Sequence, residues 1–100
     1  MTYRLQYTKQ ARGHIERLYQ FFAGHDLAAA RNALAAIDRA ATMLVEFPFA
    51  NRKADADNPF LRELIIPFGN AAGYVALFEI ENEHTITVLA VRHQREDDYH

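Results

Sequence analysis

The apolar residues of this chain change their spacing twice, and the change restricts the possible folds. Tyr3, Leu5 and Tyr7 alternate with polar residues, which predicts a strand over residues 2–7. From residue 8 to residue 47, apolar side chains recur every three or four positions, which predicts helices. β-Like runs with short turns between them follow at Leu61–Ile66, Tyr74–Ile80 and Thr85–Val91. The pattern therefore predicts the element order β-α-α-β-β-β.

The helical region divides into two segments that each carry one apolar face. Thr8 is expected to cap the first helix, and Gly24 to end it in a left-handed turn. Asp26 is expected to cap the second, alanine-rich helix. Pro48 ends that helix because it excludes Phe47 from α geometry. A short connection makes the pair an antiparallel hairpin, which needs a partner surface to bury its apolar faces.

The β-like runs supply that surface. Short turns between consecutive strands imply an antiparallel sheet, which the N-terminal strand is expected to join. The helical hairpin then covers one face of the sheet, and residues 49–60 form a polar loop. We predict an α+β fold in which residues 1–100 make a single domain, because a chain of 100 residues has no room for two cores.

The composition excludes several kinds of function. The chain has no Cys and no Ser, and Lys9 and Lys53 lie in segments that read as exposed, so nucleophilic catalysis is nearly excluded. None of the five histidines has ligand spacing on a predicted helix, and no Gly-rich turn precedes a helix, so we expect no metal and no cofactor. Without a signal peptide or a long apolar run, a cytoplasmic location without membrane attachment is expected.

The net charge of −2 is unevenly distributed. Residues 46–100 carry ten acidic and five basic side chains, which leaves this half at −5. Non-specific affinity for nucleic acid comes from many phosphate contacts, so a chain with this balance is expected to bind polyanions poorly. Any role with nucleic acid would have to be local.

Basic and aromatic side chains are concentrated at the predicted strand ends. If they converge on one surface, they could support RNA cleavage without a metal, which needs a base, an acid and cations around the phosphate. The alternative is a solvated rim of ion pairs with nearby carboxylates such as Glu63. The candidates are Arg62, Arg92, His93 and Tyr99, with Arg52 and Lys53 on the preceding loop as weaker substrate-binding candidates.

The C-terminal forty residues resemble the ParE/RelE superfamily of type II toxin–antitoxin toxins. The resemblance implies the same element order over essentially the whole chain. It also implies a growth-inhibiting bacterial protein that is neutralised by a cognate antitoxin, with operator DNA bound only through that antitoxin. The residues that carry the resemblance are Arg62-Glu63-Leu64, Pro67-Phe68-Gly69, Gly73–Ile80 and Val88–Tyr99.

Two toxic mechanisms are implied by the resemblance. RelE-like members cleave mRNA on the ribosome without metal, and Arg62, Arg92, His93 and Tyr99 would match their catalytic positions. ParE-like members poison DNA gyrase and need no catalytic residues of their own. Because the net charge is negative, the chain exerts little electrostatic attraction on the phosphates of RNA, which favours the gyrase branch. A metal-independent endoribonuclease is the alternative, and a non-toxic peptide-binding module is a further one.

Overall fold

The computed structural model describes residues 2–68 and 71–93, which form five strands, two α-helices and one 3₁₀ turn. The predicted strand and helices are all present, and a short strand is added before the first of the three predicted C-terminal strands. In chain order the elements are β1 (Arg4–Tyr7), α1 (Lys9–Ala23), α2 (Leu27–Glu46), the 3₁₀ turn (Pro48–Ala50), β2 (Arg52–Asp55), β3 (Asn58–Phe68), β4 (Ala71–Ile80) and β5 (Thr85–His93).

The strands form one sheet in the order β1-β5-β4-β3-β2. The α+β class is confirmed, and β1 joins the sheet as expected. The sheet is mixed rather than wholly antiparallel, because β1 runs parallel to β5. The polar loop predicted for residues 49–60 contains β2, whose Arg52 lies opposite Glu63 on β3. All four side chains of β2 are exposed, so no apolar alternation marks it in the sequence.

The helix ends follow the local chemistry with one exception. The Thr8 hydroxyl accepts the Ala11 N–H at 3.0 Å, and the Asp26 carboxylate accepts the Ala28 N–H at 2.9 Å, so both predicted caps are confirmed. The expected left-handed turn at Gly24 is wrong. Gly24 has φ −69° and ψ −17°, and its N–H bonds the Gln20 carbonyl, so the helical path continues towards α2.

The core lies between the helical hairpin and one face of the sheet. Ala11, Ala30 and Ala33 are fully buried, which lets backbones approach closely. On β4 the side chains from Tyr74 to Ile80 at alternate positions join this core, and we call their side of the sheet the helix-covered face. The side chains of Val75, Leu77 and Glu79, which alternate with these, define the second face. Neither helix of the described residues is both long and apolar enough to cross a membrane.

Candidate functional site

Arg62 lies on the helix-covered face, opposite the buried Phe78 of β4. Its guanidinium is half-buried and bonds three backbone carbonyls. Nε donates to Pro59 at 2.7 Å, and Nη1 donates to Phe49 at 3.1 Å and to Asn51 at 2.6 Å. The charge also lies over the Phe49 ring, 5.1 Å from its centroid. Arg62 therefore fastens the segment after α2 to the start of β3.

Arg92 lies on the second face, in a cluster around one carboxylate. Its Nη2 is 3.6 Å from Glu63 Oε2, and Arg52 Nε is 3.1 Å from Glu63 Oε1. The side chains of Arg92 and Glu63 are only 12% and 14% exposed, whereas that of Arg52 is 58% exposed. The ion pairing agrees with the alternative that the sequence left open, but the Arg92–Glu63 pair is largely buried rather than solvated.

A bulge in β5 places Arg92 on the face of the sheet opposite to that of Arg62. Phe78 pairs with Val88, whereas the preceding Leu77 pairs with Ala90. Leu89 is therefore the extra residue on β5. Since side chains alternate between faces, every residue of β5 after Leu89 points to the side opposite to the one that an unbroken strand would give it.

The bulge decides where the predicted site residues lie. Arg92 pairs with Val75 on the second face, and His93 pairs with Tyr74 on the helix-covered face. An unbroken register would place Arg92 opposite Tyr74, on the same face as Arg62. The observed register puts the two guanidiniums on opposite faces of the sheet.

His93 and Arg62 share a face but lie at different ends of it. The His93 ring contacts Tyr74 edge-on, with centroids 5.6 Å apart. Arg62 is opposite Phe78, four residues further along β4, which corresponds to roughly 13 Å along a strand. The expected convergence of Arg62, Arg92 and His93 is not found. Tyr99 lies outside the described residues, and a catalytic role for these side chains stays a prediction.

Arg52 and Lys53, the weaker candidates, lie on β2 rather than on a loop. Lys53 is exposed and pairs with Arg62 in the sheet register. The structure brings Arg52 to Glu63 and Arg92, and to neither His93 nor Arg62. The candidate arginines and Lys53 therefore do not form one cationic surface, because Arg52 and Arg92 meet at Glu63 while Lys53 lies beside Arg62.

Thr8 and His14 stabilise the bulge, a role that the sequence interpretation missed. The Thr8 hydroxyl donates to the Leu89 carbonyl at 3.0 Å. The Val91 N–H donates to Nδ1 of the buried His14 at 3.0 Å, which requires that nitrogen to be unprotonated. Where β1 ends and no longer pairs with β5, the N-cap and first turns of α1 thus provide hydrogen-bond partners for the backbone groups of β5. The available signal was the position of His14 beside the apolar face of α1, three residues after Ala11.

Two tyrosines have pKa values above the usual one. Burial raises the pKa of the Tyr74 hydroxyl above its usual value of 10.0. Burial, with a further contribution from the charge of Asp38, raises the pKa of Tyr7 in the same direction. Both phenols therefore stay protonated at neutral pH, and neither is suited to act as a base there.

The described residues contain no group of three or more His, Asp or Glu side chains placed to hold a metal ion. A different feature is prominent at the sheet end where the 3₁₀ turn, the start of β3 and the β4–β5 turn meet. A groove of about 610 Å³ lies there, lined by aromatic and acidic side chains that include Phe49, Phe60 and Glu83. We call it the aromatic–acidic groove. Its sequence signal was the presence of Phe49 and Phe60 within a segment predicted to be a polar loop.

Comparison with known proteins places these observations in a family. Residues 5–98 match the family described as ParE toxin of type II toxin-antitoxin system, parDE. A solved structure titled "Chromosomal ParDE TA system from P. aeruginosa" is similar in fold, with a TM-score of 0.71 and 16% identity over 92% of this chain and 96% of that chain. At that identity the likeness concerns the fold alone. No curated protein matches the sequence.

Proposed function

The chain belongs to the ParE toxin family of type II toxin–antitoxin systems, and on that basis we propose that it arrests growth by poisoning DNA gyrase. In this proposal residues 1–100 act as a single toxin domain in the cytoplasm. A cognate antitoxin neutralises the domain and alone carries the contact with operator DNA.

One observation carries the choice of gyrase over mRNA. The arginines that a ribonuclease would direct at a phosphate lie on opposite faces of the sheet, and each is engaged within the protein. Arg62 bonds three backbone carbonyls, and Arg92 faces Glu63. Stabilising a pentacoordinate phosphate needs preorganised cations that converge on one point. A toxin that acts by binding has no such requirement.

The charge of the molecule supports the same choice. The net charge of −2, with −5 on residues 46–100, gives little long-range attraction towards the phosphates of the ribosome. Glu63 further neutralises the Arg52–Arg92 cluster. Recognition of a protein target is compatible with this balance.

The test is to run two assays on one preparation of purified protein. We expect inhibition of gyrase supercoiling at a toxin-to-gyrase ratio near one, with no cleavage of translated mRNA by primer extension. Unchanged supercoiling at large toxin excess would contradict the proposal. Ribosome-dependent mRNA cleavage would establish the endoribonuclease alternative. Harmless overexpression without antitoxin would favour the peptide-binding module.

An arginine variant separates the two toxic mechanisms further. If Arg92 stabilised transition-state charge, Arg92→Ala would lower the cleavage rate by about 10²–10³-fold, the cost of losing one such donor. We expect Arg92→Ala and Arg92→Lys to retain supercoiling inhibition within about threefold of the unmodified protein. A thermal melt of each variant checks that loss of the contact with Glu63 has not unfolded the domain.

A further inference from the structure

We propose that the end of β5 has two registers and that Thr8 and His14, at the start of α1, select the bulged one. The bulge leaves Arg92 facing Glu63 on the second face. In an unbroken register Arg92 would instead lie opposite Tyr74 on the helix-covered face. The start of α1 therefore controls which face of the sheet presents Arg92, whichever molecule the toxin acts on.

The apolar pattern of β5 does not distinguish the two registers near the bulge. Leu89, Ala90 and Val91 are three successive apolar residues, and both faces of β4 offer them apolar neighbours. Those neighbours are Val75 and Leu77 on the second face and Ala76 and Tyr74 on the helix-covered face. A strand that suits both faces is prone to slip by one residue, because the alternation of its side chains no longer specifies the register.

Two hydrogen bonds from the start of α1 favour the bulged register, and we call them the clasp. The Thr8 hydroxyl donates to the Leu89 carbonyl at 3.0 Å, and Nδ1 of the buried His14 accepts the Val91 N–H at 3.0 Å. The clasp thus supplies partners to backbone groups at the point where the bulge disrupts the ladder. A backbone group that is buried without a partner is costly, so loss of either hydrogen bond weakens the bulged register.

The ion pair on the second face favours the same register from the opposite side of the sheet. Arg92 Nη2 is 3.6 Å from Glu63 Oε2, and the two side chains are 12% and 14% exposed. Separating a charge pair that is shielded from water is costly. A shift of β5 by one residue would separate this pair, because it would turn Arg92 to the other face.

The clasp and the ion pair are therefore coupled through β5. Both stabilise one of two discrete arrangements of the same strand, so each strengthens the other although they lie on opposite faces. The unbroken register would bring Arg92 to the Tyr74 ring, which offsets part of the loss of Glu63. It would also place Arg92 on the face that carries Arg62. The clasp thus keeps the two guanidiniums apart.

Substitutions at the clasp can remove one hydrogen bond and keep the other role of the residue. Thr8→Asp keeps the cap of α1, because a carboxylate still accepts the Ala11 N–H, but it has no proton to donate to Leu89. Thr8→Asn is the matched control, because its amide can both accept and donate. His14→Leu removes the acceptor for Val91, whereas His14→Asn supplies an oxygen near the position of Nδ1.

NMR contacts between β4 and β5 measure the register directly. In the unmodified protein and in both asparagine variants, Val75 should contact Arg92. In Thr8→Asp and His14→Leu, contacts between Val75 and Val91 should appear, and the Val91 amide should exchange with solvent at least about tenfold faster. Clasp variants that keep only the contact between Val75 and Arg92 would overturn the inference.

Urea unfolding of Glu63→Gln measures the coupling. In the unmodified chain this change should lower the urea midpoint, because Arg92 loses its charged partner. In the Thr8→Asp chain the same change should shift the midpoint by about half as much or less, because Arg92 then spends less time beside Glu63. A full midpoint shift in Thr8→Asp would overturn the inference. If His14→Leu does not fold, Thr8→Asp supports both measurements, since it keeps the cap of α1.

Discussion

The two ends of the helix-covered face use similar side chains for different purposes. At one end Arg62 stacks on Phe49 next to Phe60, and at the other end the His93 ring contacts Tyr74. Both ends thus combine a basic residue with aromatic rings. Tyr74 is 4% exposed, whereas the two phenylalanines at the Arg62 end are about half exposed.

The His93 end is a packed row of rings that belongs to the core. Tyr74 contacts Phe68 with centroids 5.9 Å apart, and Phe68 contacts Phe22 of α1 at 5.5 Å. Each ring contacts the next, and Phe22 connects the row to α1. At the Arg62 end the rings of Phe49 and Phe60 stay half exposed, and Arg62 donates hydrogen bonds to three backbone carbonyls. Aromatic residues at a sheet end therefore indicate a binding surface only where the fold leaves them uncovered.

The largest effect is expected from Gly73→Ala at the packed end. A Cβ at Gly73 would lie 2.0 Å from the Ile66 carbonyl oxygen, so β3 and β4 would have to separate. We expect a loss of about 4 kcal/mol or more in the free energy of unfolding, measured in urea. The matched control is Gly13→Ala, where a Cβ meets nothing within 4 Å. Within α1 that change should stabilise the protein by about 0.5–1 kcal/mol. Equal effects of the two variants would contradict the close approach.

A second pair of variants compares a ring at each end. Phe68→Ala removes the middle ring of the packed row and should cost about 2–3 kcal/mol, because the cavity cannot fully collapse. Phe60→Ala removes a half-exposed ring and should cost less than about 0.5 kcal/mol. Urea unfolding of both variants measures the difference. A large loss for Phe60→Ala would mean that the Arg62 end is also part of the core.

Arg62→Met tests whether the exposed end depends on hydrogen bonds. The methionine keeps much of the apolar stem but leaves three carbonyls without the charged donor, so we expect a loss of about 2 kcal/mol. Arg52→Met removes a largely exposed partner of Glu63 and should cost less than about 1 kcal/mol. Thermal or urea unfolding checks both. A loss for Arg62→Met no greater than that for Arg52→Met would show that Arg62 does not hold this end together.

The sequence predicts the features of this molecule that depend on local chemistry. Thr8 and Asp26 identified the helix starts, and Pro48 identified the end of α2, because each acts on backbone within one turn of itself. Strand β2 escaped prediction because Arg52–Asp55 are all exposed and polar. Its pairing with β3 depends on contacts with residues about ten positions away.

The candidate site was harder to predict because it depends on the face to which each residue points. One extra residue, Leu89, reverses the faces of Arg92 and His93. The residues of the run Thr85–Val91 do not themselves predict the bulge. The groups that satisfy its backbone, Thr8 and His14, are more than seventy positions earlier in the chain. Tertiary contacts thus determine the face to which the last residues of β5 point. The spacing of Arg62 and Arg92 in the sequence therefore could not predict whether their side chains converge.

The smallest expected effect is a pH dependence that belongs to the packed end. Burial raises the pKa of Tyr74 above the value of the unfolded chain, so ionisation favours unfolding. The stabilisation is fully present below about pH 10, the pKa of an unperturbed tyrosine, and it is lost as the pH rises towards the folded pKa. Urea unfolding between about pH 8 and pH 11 should therefore show a falling free energy of unfolding.

Tyr74→Phe keeps the ring contacts with Phe68 and His93 but removes the ionisable group, so the decline in its free energy of unfolding should be shallower. Tyr7→Phe should act in the same direction, because the pKa of Tyr7 is raised as well. A decline in Tyr74→Phe as steep as in the unmodified protein would show that the packed end does not keep this phenol from water.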